Sequence, residues 1–216
     1  MDDLLMAALS GDEKRVGQLL AGGADANHTD GNGWTALIGA AARGHDAVIE
    51  RLLIAGAEVE RTDVKGLTAL MRAAEGGHIT IADRLLAAKA KVDHADNKGK
   101  TALMRAAENR RVAMVDQLIK YGANVNHADK RGKTALMRAA LGGDRTTVDH
   151  LVKAGADVNL ADASGWSALI CAAAGDAAIV KQLITAGANT KHAAKDGMTA
   201  HKRALATGRK EVAELL

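Results

Sequence analysis

The chain has no proline and no phenylalanine, one cysteine, and two tryptophans and one tyrosine in 216 residues. A lone Cys171 excludes a disulfide within the chain and says nothing about redox compartment. With aromatics at 1%, the core must be built from Ala, Leu, Val, Ile and Met, which suits thin helical layers. No apolar run approaches the ~18 residues that a membrane-spanning helix needs. Met1-Asp2-Asp3 opens with acid where a secretory leader carries basic residues. His-x-x-x-His, Cys-x-x-Cys, a nucleophile elbow and a phosphate loop are all missing. Cys171 has no evident activating base beside it. No catalytic, cofactor-binding or metal-binding residue is therefore expected, and the chain reads as a non-enzyme.

What is present is repetition. Thr-Ala-Leu-Met-Arg-Ala-Ala starts at Thr68, Thr101 and Thr134, each 33 residues after the last. Gly33, Gly66, Gly99 and Gly132 keep the same period, and Gly165 and Gly197 continue it. A fixed period of this length marks a solenoid, in which each unit covers its neighbour's apolar face. Full units are expected over 31–63, 64–96, 97–129, 130–162 and 163–194, with a partial unit over 1–30 and another over 195–216. Together they form one elongated domain of about seven units.

Each unit has a physical reading. Thr or Ser caps a short first helix through its hydroxyl. Small residues on one side of that helix let a neighbour approach closely. Gly44, Gly77 or Gly143 ends it in the left-handed conformation that Gly adopts cheaply. A second helix carries apolar residues at helical spacing, as in Val48-Ile49 and Leu52-Leu53. A turn or finger, such as Asn124 to Asp129, crosses to the next unit. The expected fold is all-α: stacked helix-turn-helix units with β-turn or hairpin fingers, about 9–10 Å per unit.

The pattern resembles the ankyrin repeat. The family's Thr-Pro-Leu-His signature stands here as Thr35-Ala36-Leu37-Ile38 and Thr68-Ala69-Leu70-Met71. Its Gly-His is present at Gly44-His45 and Gly77-His78, and its Gly-Ala-Asp-Val-Asn ending at Gly155 to Asn159. The Thr-Ala-Leu-Met variant looks like bacterial, solo-domain members. The resemblance implies protein binding, with the first helices facing a concave surface. It also implies a choice among functions: an inhibitor or immunity protein for a companion enzyme, or a passive scaffold. A soluble protein is expected, cytoplasmic or, if a leader has been removed, in the bacterial periplasm.

Charge narrows the candidate surface. Residues 89–145 hold thirteen Lys/Arg and six Asp/Glu, a balance of +7 within a chain of +3, so the rest carries −4. Arg72, Arg105 and Arg138 occupy one first-helix slot and have two readings: an exposed Arg–Glu ladder that keeps the stack soluble, or a guanidinium comb for a partner's carboxylates. Glu75 and Glu108 follow two of them at i+3 and can pair with them, whereas Arg138 is followed by Leu141. On the comb reading Arg105 contributes to binding and little to the stack's own stability. The residue after each finger Gly is Trp34, Leu67, Lys100, Lys133, Trp166 or Met198, which in the family is a contact position. Lys98, Lys130 and Arg131 add to the basic finger tips, and Trp34 and Trp166 are candidate anchors. Lys89 and Arg110 stand where other units have Gly, so a left-handed residue with a side chain is expected at each.

The partner so implied is one protein with an acidic patch, and the chain alone is expected to be monomeric. Recurring His28, His94, His127 and His192 are spaced too far apart for one metal ion, and a finger-stabilising hydrogen bond is the expected role. The loss of one residue near Ala174-Gly175 is read as a shortened turn without consequence. Nucleic acid is the weaker alternative, because the basic residues are not interleaved with the aromatic platforms that single-strand binders use.

Overall fold

The structure, a computed structural model, describes residues 3–216. Seven helix pairs follow one another: α1 (Asp3–Ser10) and α2 (Glu13–Ala21), α3 (Ala36–Arg43) and α4 (Asp46–Ile54), α5 (Ala69–Gly76) and α6 (Ile79–Ala87), α7 (Ala102–Glu108) and α8 (Val112–Lys120), α9 (Ala135–Gly142) and α10 (Arg145–Lys153), α11 (Ala168–Ala172) and α12 (Ala177–Thr185), and α13 (Ala200–Ala206) and α14 (Lys210–Glu214). Among the described residues the only extended pairing outside helices is two isolated antiparallel bridges, Ala161 with Ser167 and Ala193 with Thr199. None of the helices is long and apolar enough to cross a membrane.

The first helices start where the hydroxyl pattern places them. Thr35, Thr68, Thr101, Thr134, Ser167 and Thr199 sit in extended backbone and accept from the N–H three residues on. Each such cap contributes roughly 1 kcal/mol. The helices pack in two rows, odd-numbered against odd and even against even. Alanine makes the odd row the tighter one: Ala40, Ala73, Ala106 and Ala139 are all fully buried. A more closely spaced row forms the inner side of a curved stack. The even helices contribute larger groups, among them Ile49, Leu85, Leu118 and Leu183, and the buried residues form one continuous core from Leu4 to Ala213.

The residue that opens the second helix does one of two jobs in six of the seven pairs, His78 at α6 being the exception. Asp12, Asp144 and Asp176 accept from the N–H groups of their own helices. His45, Arg111 and Arg209 instead donate backwards to the carbonyls of Leu9, Glu75 and Ala174, at 3.1–3.2 Å. The second arrangement satisfies a carbonyl at the C-terminal end of the preceding first helix, which has no intrahelical partner. The finger histidines act similarly between units. His94, His127 and His192 donate through Nε2 to the carbonyls of Gly66, Gly99 and Gly165 at 3.2, 3.0 and 2.7 Å.

Adjacent fingers are joined by single backbone bonds at a constant register. Val64, Asn97, Lys130, Ala163 and Lys195 donate to the carbonyls of Asn32, Lys65, Lys98, Arg131 and Ser164 at 2.8–3.0 Å. These rungs require a bare backbone next to them. A Cβ on Gly99 would stand 2.8 Å from the Lys130 nitrogen, and one on Gly132 2.9 Å from the Ala163 nitrogen, with φ at 80° and 75°. Glycine is thus fixed at both positions by backbone conformation and by space.

Two features qualify the repeat. Lys89 and Arg110 take the left-handed conformation expected of them, with φ of 68° and 55°. The one-residue deletion shortens a helix rather than a turn: α11 has 5 residues where α3 has 8. Lys89→Gly is expected to raise stability by about 0.5–1 kcal/mol, because the left-handed penalty disappears and no side-chain bond is lost. Urea unfolding checks this, and a lower midpoint would refute it.

Candidate functional site

The site begins with an aspartate that opens each finger. Asp96 shows the arrangement. Its Oδ1 accepts from the backbone N–H groups of Lys98 and Lys100, at 2.7 and 2.9 Å, which closes the finger turn. Its Oδ2 accepts from Nη2 of Arg105 on α7. Asp63 and Asp129 repeat this: Oδ1 holds the turn, and Oδ2 accepts from Arg72 at 2.6 Å and from Arg138 respectively. All three carboxylates are buried, at 4–7% exposed. Asp30 and Asp162 close equivalent turns, but Gly39 and Cys171 occupy the arginine slot beside them, and both aspartates are partly exposed.

A second carboxylate links one arginine to the next. Glu75 accepts from Arg72 at 3.1 Å and also from Arg105 of the following pair. Glu108 accepts from Arg138 at 3.1 Å and from Lys100 at 2.7 Å. Arg138 therefore does have a glutamate partner, which comes from the preceding first helix, α7. Side chains 30 residues apart are neighbours in a stack, so the absence of an acid at i+3 does not leave Arg138 unpaired. The three guanidinium groups, 10–18% exposed, are spent on internal acids. The comb expected to meet a partner is an internally neutralised ladder.

The electrostatics follow from this geometry. Burial pushes the Asp96 carboxyl up, but the N–H groups of Lys100 and Lys98 and the Arg105 guanidinium outweigh it and hold the carboxyl below its ordinary value. Burial likewise pushes Glu108 up, and Lys100, Arg138 and Arg105 together bring it down. A charged, hydrogen-bonded carboxylate in this setting is a structural member.

The remaining expected site residues fall into distinct places. Leu67 is 3% exposed, so its side chain belongs to the core and reaches the surface only at the floor of the groove beneath Lys65 and Lys98. Trp34 and Trp166 are partly buried, and each lies over a guanidinium of the next first helix: Arg72 at 4.9 Å from the Trp34 ring centre, Arg203 at 4.4 Å from that of Trp166. One face of each ring is therefore occupied, a contact worth about 0.5–1 kcal/mol. Arg110 sits at the far end of α7 from the fingers and donates to the Gly142 carbonyl, fastening one first helix to the next. Lys100 is paired with Glu108.

Exposed cations without a carboxylate at ion-pair distance occur over much of the surface, Lys14, Lys120, Lys181 and Lys210 among them, and one set of them lines the outer edge of the fingers, with Lys195 on the last finger. Lys98, Lys130 and Arg131 are exposed, and so is Lys65, which charge counting over 89–145 missed. Among the described residues none of the four has a carboxylate at ion-pair distance, and the partly buried Lys133 has none either. Lys65, Lys98 and Arg131 all accept a rung through their carbonyls, so their backbones are held in register. Beneath Lys65 and Lys98 runs a groove of about 430 Å³, bordered by Arg72, Glu75, Asp96 and Arg105. The 33-residue recurrence of aspartate at 30, 63, 96, 129 and 162 was the available signal for the buried acids.

Stacked helix pairs with hydrogen-bonded fingers define the class as a repeat solenoid. The family described as ankyrin repeats (3 copies) matches residues 4–96, 80–162 and 136–216. The chain belongs to the ankyrin-repeat family, whose repeats serve as protein–protein interaction modules. No curated protein matches the chain.

The depressed carboxyls of Asp96 and Glu108 set a pH dependence. The unfolded chain takes up protons at about pH 4, before the folded chain does. Their contribution is therefore present above about pH 5 and is lost as pH falls through 4 and lower. Asp96→Asn keeps an acceptor for the turn but removes the charge facing Arg105. It is expected to cost about 2 kcal/mol at pH 7 and less at pH 3, below the unfolded carboxyl's value. Urea unfolding at both pH values checks this, and an equal loss at both would refute it. The same network makes Arg105→Glu destabilising, contrary to the expectation from sequence.

Proposed function

We propose that this protein binds one protein partner through its finger tips and the groove below them, with the partner presenting an acidic patch. The observation that carries this reading is the row Lys65, Lys98, Lys130 and Arg131: exposed cations without counter-charges, mounted on fingers that backbone rungs hold in place. Neighbouring fingers stand about 10 Å apart, comparable with the screening length of about 8 Å at physiological salt. The cations therefore repel one another weakly, and a patterned anion relieves that repulsion. Such a row steers association and selects a partner by charge.

We extend the proposal to inhibition: the partner is a companion enzyme, bacterial in the reading the sequence suggests, which the chain blocks or against which it protects. A resemblance to solo-domain ankyrin proteins supports this, and a passive scaffold is the outcome to be set against it.

Affinity capture from the cells that express the protein, with the wild type and with a Lys65→Glu/Lys98→Glu/Arg131→Glu variant side by side, tests the surface. The partner is expected to be lost about tenfold or more with the melting temperature nearly unchanged, since these side chains make no internal ion pair. Equal capture by both would refute the finger-tip reading. Partner activity that is unchanged by a stoichiometric amount of the chain would refute inhibition and favour scaffolding.

A further inference from the structure

Toward the C-terminus the ion-pair ladder breaks off with its cation side still present. Glu75 and Glu108 each take two cations, and the next copy of their position is Leu141, 55% exposed. Arg105 and Arg138 are followed in their slot by Cys171, 6% exposed. The cation side of the pattern nevertheless continues. Lys100 pairs with Glu108, eight residues on, at 2.7 Å. Lys133 is the next copy of Lys100, and the position eight residues on is Leu141 in place of a glutamate. Among the described residues its ammonium has no carboxylate at ion-pair distance.

The break is also a concavity. A cavity of about 160 Å³ is bordered by Lys133, Arg138, Leu141, Met137 and Cys171. Glu108 also borders it but is already engaged by Lys100 and Arg138. Cys171 does not supply the missing charge: burial pushes its thiol up, against the opposing influence of Arg203 and Lys133. The thiol stays neutral.

We infer that this gap is the anchor point for a carboxylate side chain of the protein partner, flanked by an apolar side chain that lies on Leu141. The inference rests on the protein-binding reading above and makes it specific. Glu108 is the internal template, a carboxylate seated between a finger lysine and a first-helix arginine. A partner's Asp or Glu would take the corresponding seat on Lys133, where the chain's own residue is Leu141. The exposed leucine then defines the neighbour: an aliphatic or aromatic group beside the acid, shielding the new ion pair from water.

The test uses the full chain and a displayed library of random short peptides. Selection is expected to enrich peptides in which Asp or Glu stands next to Leu, Ile, Val or Phe. Leu141→Glu restores the missing acid within the chain. It should weaken the selected peptides about tenfold while leaving the melting temperature unchanged or higher. Lys133→Glu should weaken them similarly, and a peptide with its acid changed to Lys should recover binding to that variant, so the result does not depend on Leu141→Glu folding well. Peptides that lose affinity with Lys98→Glu or Arg131→Glu but are indifferent to Leu141→Glu and Lys133→Glu would overturn this anchor and leave the finger-tip reading intact. A selection that yields no acidic peptides would overturn both.

Discussion

The aspartate at the root of each finger ties the stack together, because its two oxygens do different work. One closes the turn that makes the finger, and the other receives a guanidinium from the first helix that follows the finger. A finger is a short loop with little apolar area of its own. Without the carboxylate its N–H groups would need water, and its angle to the helices would be loosely set. With it, finger and helix form one rigid corner, and the backbone rungs between fingers fall into register. Burying that charge is tolerable only because it is fully hydrogen-bonded and paired.

This arrangement separates two roles that formal charge cannot distinguish. A guanidinium on the inner face, held by two carboxylates, adds rigidity but little field beyond its partners. A lysine at a finger tip, without a partner, contributes its whole charge to the surroundings. The protein uses the first kind where units must hold together and the second where the surface meets solvent. Where the first kind runs out, at Leu141 and Cys171, the surface changes character from a sealed ion-pair ladder to an open, mixed apolar and basic recess.

Much of the architecture was legible in the chain. The period, the Thr caps, the left-handed glycines and the two exceptions at Lys89 and Arg110 all follow from local rules, since each depends on residues a few positions apart. The finger histidines were legible for the same reason: they recur, and their distance along the stack excludes a shared metal. The candidate site was less legible. Asp96 and Arg105 are nine residues apart, a spacing that belongs to neither helix nor strand, and they meet only because the finger folds back over the helix. Arg138 and Glu108 are 30 apart and meet only through stacking. Leu67 looked exposed because its slot elsewhere holds Trp or Lys, yet in place it closes the core.

The sequence by itself determined that this is a stack, where the hydroxyl-capped first helices begin, and which residues share a slot, because these depend on short-range caps and a repeated period. Only the tertiary structure decided which cations are neutralised and which are free. That depends on through-space neighbours eight, nine or about thirty residues apart, and counting charges along a chain does not register them. The same slot logic gave the stripe of arginines, and the packing turned that stripe from a recognition surface into part of the frame.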